Sequence, residues 1–286
     1  MNLRLSRALG WCVTRSLLAI AVVVTLLPFV WLVASSFKSN EEFFRSTFLP
    51  MREGSWSIAW ERLSVEAYRR LFAEADFATG LLNSIFLSSV TGVLATLGCA
   101  MGGYALAKFN FRGRRFCTIL VLAAVLIPGP LLLAPGYQLL YNLGLLDTFA
   151  GLILPAIAPA FGVFLFRQAV ISGVPTELLE AARIDGAGEY RTFVVVVMPL
   201  LRPMIGTFLM ITFLGVWNNF IGPQVVLQSA DKFPLSVAVA ELKRGYYSDY
   251  GLQMAGTVVS ILPVMVLFLL MQKDFVSGLA AGAVKG

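Results

Sequence analysis

Three neighbouring residues in a largely apolar stretch, Trp217, Asn218 and Asn219, have side chains that could bind a polar solute. An amide offers both a hydrogen-bond donor and an acceptor, and an indole face suits the C–H surface of a sugar. Together they could line a wet pathway for an uncharged solute. They could equally well hydrogen-bond neighbouring helices, which stabilises a membrane bundle by about 0.6–2 kcal/mol per contact. The sequence leaves both interpretations open.

The sequence lacks the residues that most enzymes and motors use. It contains no histidine, which removes imidazole bases and His-type metal ligands. Its three cysteines, Cys12, Cys99 and Cys117, form no C-x-x-C pair, so neither a metal site nor a disulfide framework is indicated. The Gly-Lys dipeptide of a P-loop is absent. We therefore expect no enzyme activity, no bound metal or cofactor, and no ATP site in this chain.

Composition places these residues in a membrane protein. Hydrophobic residues make up 58% of the 286 residues and charged residues only 13%, against roughly 25% charged in soluble domains. Continuous apolar runs long enough to cross a bilayer as helix occur at 16–37, within 77–107, within 116–146, at 148–166, within 203–230 and at 250–272. We predict an all-α bundle of six transmembrane helices, with the first run retained rather than cleaved as a signal peptide.

The distribution of charge predicts the topology. With both termini in the cytoplasm, the cytoplasmic side holds 13 of the 22 basic residues but only 5 of the 16 acidic ones, as the positive-inside rule requires. The net charge of +6 is then explained without nucleic acid. The chain divides into four segments: residues 1–37 with the first helix, an extracytoplasmic loop 38–76, a five-helix core 77–272 and a cytoplasmic tail 273–286.

The cytoplasmic loop 168–202 contains the most informative motif. Pro175 suits the first turn of a helix, and Glu177 and Glu180 favour its positively charged N-terminal end. Gly186 can end that helix in a left-handed conformation, and a second short helix should lead toward Pro199. Such a helix, with an alanine face at Ala181 and Ala182, could press into a groove on a partner. A plain surface connector is the alternative interpretation.

These residues resemble a known family. Glu180-Ala181-Ala182, Gly186 and Met198-Pro199 are similar to the EAA loop of membrane subunits of bacterial ABC importers, with Met198 where the family usually has leucine. Asp185-Gly186-Ala187 and Phe193 resemble the version of this loop found in carbohydrate importers, and the 217–220 segment also resembles the family. The tail 275–286 is similar to the C-terminal sequence of maltose- and glycerol-phosphate-type permeases.

The resemblance implies a type I importer permease in the bacterial inner membrane. Such a permease pairs with a second, homologous permease, with two ATP-binding subunits that hold ATP and Mg²⁺, and with an extracytoplasmic solute-binding protein. The implied ATPase-coupling residues are Glu180, Ala181, Ala182, Arg183, Asp185 and Gly186. In the tail, Gly278, Gly282 and Lys285 would reach the ATPase, as in the maltose system. The implied solute is a sugar, or a related polyol or glycerophosphodiester.

Other functions are left as alternatives. A secondary transporter that acts without an ATPase is the main one, although the predicted spans carry almost no charged residues of the kind that mark proton relays. A membrane scaffold or receptor subunit, or a membrane enzyme, fits the polar membrane residues and the cytoplasmic loop less well. Co-purification of an ATPase would separate the importer from the secondary transporter.

Overall fold

The computed structural model describes residues 3–52, 57–74, 76–245 and 249–283, without the side chains of 3–9, 243, 244 and 274–283. Within these ranges the fold is helical, and its extended pairing consists of the isolated bridges Lys38–Leu63 and Met51–Ile58. The all-α class is therefore confirmed. The described residues form two compact units, one from residues up to 77 together with 239–261 and the other from 78–238 together with the described residues after 261.

The helices are numbered here in chain order. They are α1 (Leu3–Ser35), α2 (Asn40–Arg45), α3 (Glu66–Ala73), α4 (Phe77–Lys108), α5 (Arg114–Val125), α6 (Leu133–Asn142), α7 (Phe149–Ile153), α8 (Ala160–Gly173), α9 (Thr176–Ile184), α10 (Glu189–Thr192), α11 (Met198–Leu200), α12 (Arg202–Trp217), α13 (Ile221–Val226), α14 (Leu235–Gly245) and α15 (Tyr250–Ala283). Short 3₁₀ turns lie at Trp60–Arg62, Gly129–Leu132, Leu154–Ala156 and Ala230–Lys232, and a π-helical turn lies at Phe193–Val197.

Within the described ranges, four helical stretches are long and apolar enough to cross a membrane: Gly10–Ser35, Phe77–Lys108, Phe149–Gly173 and Tyr250–Lys273. Two bent helix pairs raise the number to six if each pair is one span. The pair Arg114–Val125 and Gly129–Asn142 bends by 104°, and the pair Glu189–Leu200 and Arg202–Trp217 bends by 83°. The third and fifth spans thus differ from the straight helices that hydropathy suggests.

Proline accounts for the bend in the third span. Pro128 is extended, with φ −63° and ψ 126°. Its ring supplies no backbone N–H and disfavours helix at the residue before it, so α5 ends at Val125. The predicted fifth span, 203–230, is also interrupted, since α12 ends at Trp217 and α13 begins at Ile221.

The first unit ties residues 38–76 to the start of α15. The Lys38 ammonium group donates to the carbonyls of Ser46 and Thr47 at 2.7 and 3.2 Å. Phe43 stacks on Tyr250 with 4.9 Å between ring centroids, and Arg70 forms an ion pair with Asp249. The described part of this segment therefore contains the short helices α2 and α3 and contacts the start of α15; its extracytoplasmic location stays a prediction.

The second unit is built on close helix packing around α4. A Cβ atom added to Gly98 would lie 2.6 Å from the Ile157 carbonyl oxygen, and one added to Gly103 would lie 2.6 Å from the Phe166 Cβ. Glycine at both positions lets α4 approach the 154–173 segment closely, a common device in membrane bundles. The result is a buried apolar cluster that continues into the 168–202 loop.

Candidate functional site: the coupling loop and a hydroxyl-lined cleft

Helix α9 is held to the protein by one side. Its Leu179 side chain is only 1% exposed and belongs to the apolar cluster that contains Tyr104, Phe193 and Val197. On the remaining surface, Ala181 is exposed and Ala182 is half-buried. Because a single leucine anchors a short helix, most of the surface of α9 remains available to a partner.

Gly186 ends α9 in the way the sequence predicts. Its φ is +77°, a left-handed conformation that costs glycine little. The Gly186 N–H donates to the Arg183 carbonyl at 3.0 Å, and the Ala187 N–H donates to the Ala182 carbonyl at 2.9 Å. This pair of bonds is the Schellman motif. It turns the chain sharply and satisfies carbonyls that the helix end would leave unpaired.

The chain after Gly186 returns to the bundle through a feature that the sequence does not predict. Helix α10 leads into the π-helical turn Phe193–Val197, in which Phe193 and Val197 are buried. One extra residue per turn rotates the positions after it, and such turns occur frequently at functional sites. The valine run 194–197 gives no local signal for it.

Three polar contacts fasten the loop. The Arg183 Nε atom donates to Glu189 Oε1 at 2.8 Å, the Tyr104 hydroxyl donates to Glu189 Oε2 at 3.4 Å, and the Lys108 ammonium group donates to Thr176 Oγ1 at 3.0 Å. The Glu189 hydrogen bond, together with the negative charge of that carboxylate, raises the pKa of Arg183. A partly exposed ion pair thus adds to the backbone hydrogen bonds that hold the turn.

The six predicted coupling residues lie together. Glu180, Ala181, Ala182 and Arg183 occupy the last two turns of α9, and Asp185 and Gly186 form the turn at its end. Around them the apolar side chains of Ile184 and Tyr190 are 86% and 74% exposed. Exposed large apolar groups beside a small-residue face are typical of a surface that a partner covers. The coupling role itself stays a prediction.

The three predicted pathway residues are not gathered at one surface. Trp217 is only 6% exposed and stacks on Phe213, with ring centroids 5.6 Å apart. The Asn218 amide donates to the Leu214 carbonyl of its own helix at 2.9 Å. Asn219 accepts from the Gly222 N–H at 3.1 Å and borders a cleft. Of the three, Asn219 is the residue that borders this cleft.

That cleft is lined by hydroxyl groups that the sequence analysis did not single out. Ser84, Ser88 and Thr91 of α4 border it together with Asn219. The Ser84 hydroxyl accepts from the Leu235 N–H at 2.7 Å, whereas the buried Ser88 hydroxyl has no hydrogen-bond partner in the described part of the chain. The cavity volume of about 60 Å³ has room for a few waters but not for a sugar ring. Ser84, Ser88 and Thr91 are spaced i, i+4, i+7, so the sequence alone could have shown that their hydroxyl groups share one face of α4.

The predicted tail contacts fall on the last helix or beyond it. Gly278 and Gly282 lie within α15, which continues to Ala283, so residues 273–283 extend the sixth span as helix. Lys285 lies outside the described residues. A role of this tail in ATPase contact stays a prediction.

The chain is similar to known proteins over most of its length. Residues 92–279 match the family model described as "Binding-protein-dependent transport system inner membrane component". The arabinooligosaccharides transport system permease protein AraQ of Halalkalibacterium halodurans is 37% identical over 287 residues, which cover 100% of both chains. The lactose transport system permease protein LacG of Rhizobium radiobacter is 30% identical over 285 residues, again covering 100% of both.

Solved structures show the same architecture. One chain of a bacterial ABC transporter "involved in the import of the acidic polysaccharide alginate" superposes with a TM-score of 0.80 at 25% identity, covering 96% of this chain and 99% of that one. A second structure, of an alginate ABC transporter in complex with an alginate pentasaccharide-bound periplasmic protein, has a TM-score of 0.61 at 14% identity. The second match supports the fold alone.

Proposed function

Because the chain belongs to the family of binding-protein-dependent transport system inner membrane components, we propose that it is driven by a separate ATPase that docks on α9. Membership makes the chain a multi-pass transport permease with the type I fold of ABC importers, and this confirms the predicted family and fold class. The observation that carries the ATPase proposal is the geometry of α9: one buried anchor, an exposed small-residue face and a rigid glycine-ended turn.

The complete importer, in this proposal, has the subunits that the sequence resemblance implies. A second, homologous permease completes the translocation pathway in the bacterial inner membrane. Two ATPase subunits hold ATP and Mg²⁺, and a solute-binding protein delivers solute from outside. The family description, which specifies binding-protein-dependent transport, supports the last of these partners.

A sugar is the proposed solute. The relatives are named for arabinooligosaccharides and for lactose, both uncharged carbohydrates. The cleft beside Asn219, Ser84 and Ser88 is too small for a sugar in this state, so these groups could exchange hydrogen bonds with an uncharged polyhydroxyl compound only after the bundle opens. The candidate solutes are sugars, oligosaccharides and polyol derivatives such as glycerophosphodiesters. The chain alone does not select among them, because the binding protein largely determines which solute is delivered.

The mechanism derives from how α9 is attached. ATP closes the two ATPase subunits, and α9 moves with them as a rigid lever because Gly186 and the Arg183–Glu189 ion pair fix its end. Leu179 passes the motion to the apolar cluster, and the bundle rocks between inward- and outward-open states. Shifting such an equilibrium from 1:99 to 99:1 requires about 5.5 kcal/mol of differential binding, which ATP and the loaded binding protein would provide.

Reconstitution into vesicles tests the proposal. The chain, its partner permease, the ATPase and the binding protein are incorporated together, and uptake of radiolabelled sugar is measured with ATP, without ATP and with an ion gradient alone. We expect accumulation only with ATP and the ATPase present. Accumulation by the permease alone on an ion gradient would instead establish the secondary-transporter alternative.

A pull-down with matched variants tests the docking surface directly. Affinity-tagged permease should retain the ATPase, and Ile184→Glu, which puts a charge on the exposed apolar surface of α9, should lose it. The control is Val65→Glu, because Val65 is also exposed, at 67%, but lies in the segment 38–76, which is predicted to be extracytoplasmic and out of reach of an ATPase. Equal ATPase recovery from both variants would show that α9 is not the docking surface.

A further inference from the structure

One carboxylate joins three helices at the cytoplasmic end of the bundle. Glu189, the first residue of α10, accepts from Arg183 at the end of α9 through Oε1 and from Tyr104 in α4 through Oε2. A second contact, between Lys108 and Thr176, ties the end of α4 to the start of α9. Helix α4 is therefore linked to both ends of the helix proposed to carry the ATPase.

The two partners of Glu189 differ in burial and packing. Tyr104 is only 4% exposed, and its ring packs against Phe109 and Phe193 with centroids 5.3 and 5.6 Å away. Arg183 is on the surface, in the last turn of α9. A displacement of α9 would thus move one side of the carboxylate while the other remains fixed to a membrane helix.

In the isolated chain this link is weak. The Arg183 and Glu189 side chains are both 44% exposed, and ion pairs in water contribute little. A protein docked on α9 would exclude that water, and attraction between the same two charges strengthens as the local dielectric constant falls. The link would therefore tighten when the ATPase engages.

We propose that Glu189 is a positioning residue that transmits the movement of α9 to α4 through Arg183 and Tyr104. This inference rests on the proposed ATPase docking and adds the route by which the motion enters the bundle. Leu179 provides apolar contact with the same cluster, but a leucine side chain can slide against its neighbours, whereas a hydrogen-bonded carboxylate transmits a directed pull.

The experiment measures coupling rather than uptake alone. The complete importer is reconstituted in vesicles, and ATP hydrolysed per sugar molecule transported is determined for wild type, Glu189→Ala, Tyr104→Phe and the double variant. We expect Glu189→Ala and Tyr104→Phe to raise that ratio about three- to tenfold, which corresponds to the loss of one hydrogen bond. The double variant should have the same ratio of ATP hydrolysed to sugar transported as Glu189→Ala, because the two substitutions remove the same interaction.

The control is Glu66→Ala, which removes the exposed ion pair between Glu66 and Arg69 in α3 and should leave the ratio unchanged. Uptake and hydrolysis that fall together at a constant ratio in Tyr104→Phe would overturn the inference, since they would indicate a purely structural role. Tyr104→Phe keeps the packed ring and removes only the hydroxyl group. It therefore tests the role of the Tyr104–Glu189 contact even if Glu189→Ala does not assemble. If wild type itself fails to couple ATP to uptake, the proposed function fails first.

Discussion

The coupling loop 168–202 and a turn that we name the Asp147 clamp (residues 145–148 with 227–232) share one element of design. Both involve a helix that ends in a Schellman motif. The loop contains the glycine of its motif, Gly186, at φ +77°, whereas the clamp begins directly after the glycine of its motif, Gly144, at φ +67°. In the second motif the Gly144 N–H donates to the Tyr141 carbonyl and the Leu145 N–H donates to the Leu140 carbonyl. Beyond the glycine, the two segments use their side chains differently.

The Asp147 clamp uses its polar groups within the chain. The carboxylate of Asp147 accepts from the Gln228 and Ser229 N–H groups at 2.9 and 3.0 Å, from the Ser229 hydroxyl at 2.6 Å and from the Lys232 ammonium group at 2.7 Å. The coupling loop instead leaves Ile184 and Tyr190 exposed. The chain after one glycine-ended helix thus uses its polar groups internally, whereas the chain around the other leaves large apolar side chains exposed. Four predictions test this difference, from the largest expected effect to the smallest.

Ala182→Glu should abolish transport. A charged side chain pressed into a protein groove without a partner costs several kcal/mol, so we expect uptake to fall at least about a hundredfold while the protein stays in the membrane. Gly186→Asp should act in the same direction. Ala182→Ser, which stays small, is the control. The amount of protein in the membrane fraction and the rate of sugar uptake are measured for each variant. Normal uptake by Ala182→Glu would contradict the proposal that α9 docks on the ATPase.

Leu179→Ala and Leu178→Ala should separate folding from docking. Leu179 is buried, so its truncation should destabilise the fold by about 2–5 kcal/mol. Leu178, its neighbour on α9, is 44% exposed, and its truncation should change stability by less than about 0.5 kcal/mol. Thermal unfolding in detergent provides the measurement. Equal melting temperatures for the two variants would contradict the single-anchor geometry of α9.

Asp147→Asn should lower the melting temperature at neutral pH. Lys232 above all, and then Ser229 and the Gln228 and Ser229 N–H groups, hold the pKa of Asp147 far below its ordinary 3.8. A depressed folded-state pKa means that the stabilisation is complete above pH 3.8 and declines as the pH falls below that value. The difference in melting temperature between wild type and variant should therefore shrink as the pH is lowered from about 5 to about 3.

The exposed neighbour Asp231 provides the control for that experiment. Asp231→Asn removes a carboxylate from the same segment and leaves the carboxylate of Asp147 in place. We therefore expect almost no change in melting temperature at any pH. If the difference in melting temperature between wild type and Asp147→Asn were the same at every pH, the charge of Asp147 would not contribute to the stability of the clamp.

Glycine substitutions should have the smallest effects. A Cβ atom at Gly186, Gly144 or Gly188 would meet nothing within 4 Å, so only backbone conformation matters. Gly186→Ala and Gly144→Ala should each cost about 1 kcal/mol because φ is positive. Gly188 has φ −69° and is the N-cap of α10; alanine fits that φ but is a poorer N-cap than glycine, so Gly188→Ala should cost only about 0.5 kcal/mol. Urea or thermal unfolding of the three variants checks the order.

The sequence by itself determined the helical membrane class, the approximate position of the spans and the helix–glycine–helix form of the coupling loop. These features depend on local properties: the length of apolar runs, the missing N–H of proline and the left-handed conformation that glycine tolerates. Family membership was also within reach of the sequence, because Glu180, Gly186 and Pro199 lie close together in one continuous motif.

Tertiary structure decided which residues meet. Tyr104 and Glu189 are 85 positions apart, and nothing in either segment indicates the other. Ser88 borders a cleft with Asn219, whereas Trp217, in the same short segment as Asn219, is packed against Phe213. Hydropathy and turn chemistry are properties of a short window of chain, but a cleft or a three-helix contact depends on which faces of distant helices pack together, and that is fixed only when the bundle forms.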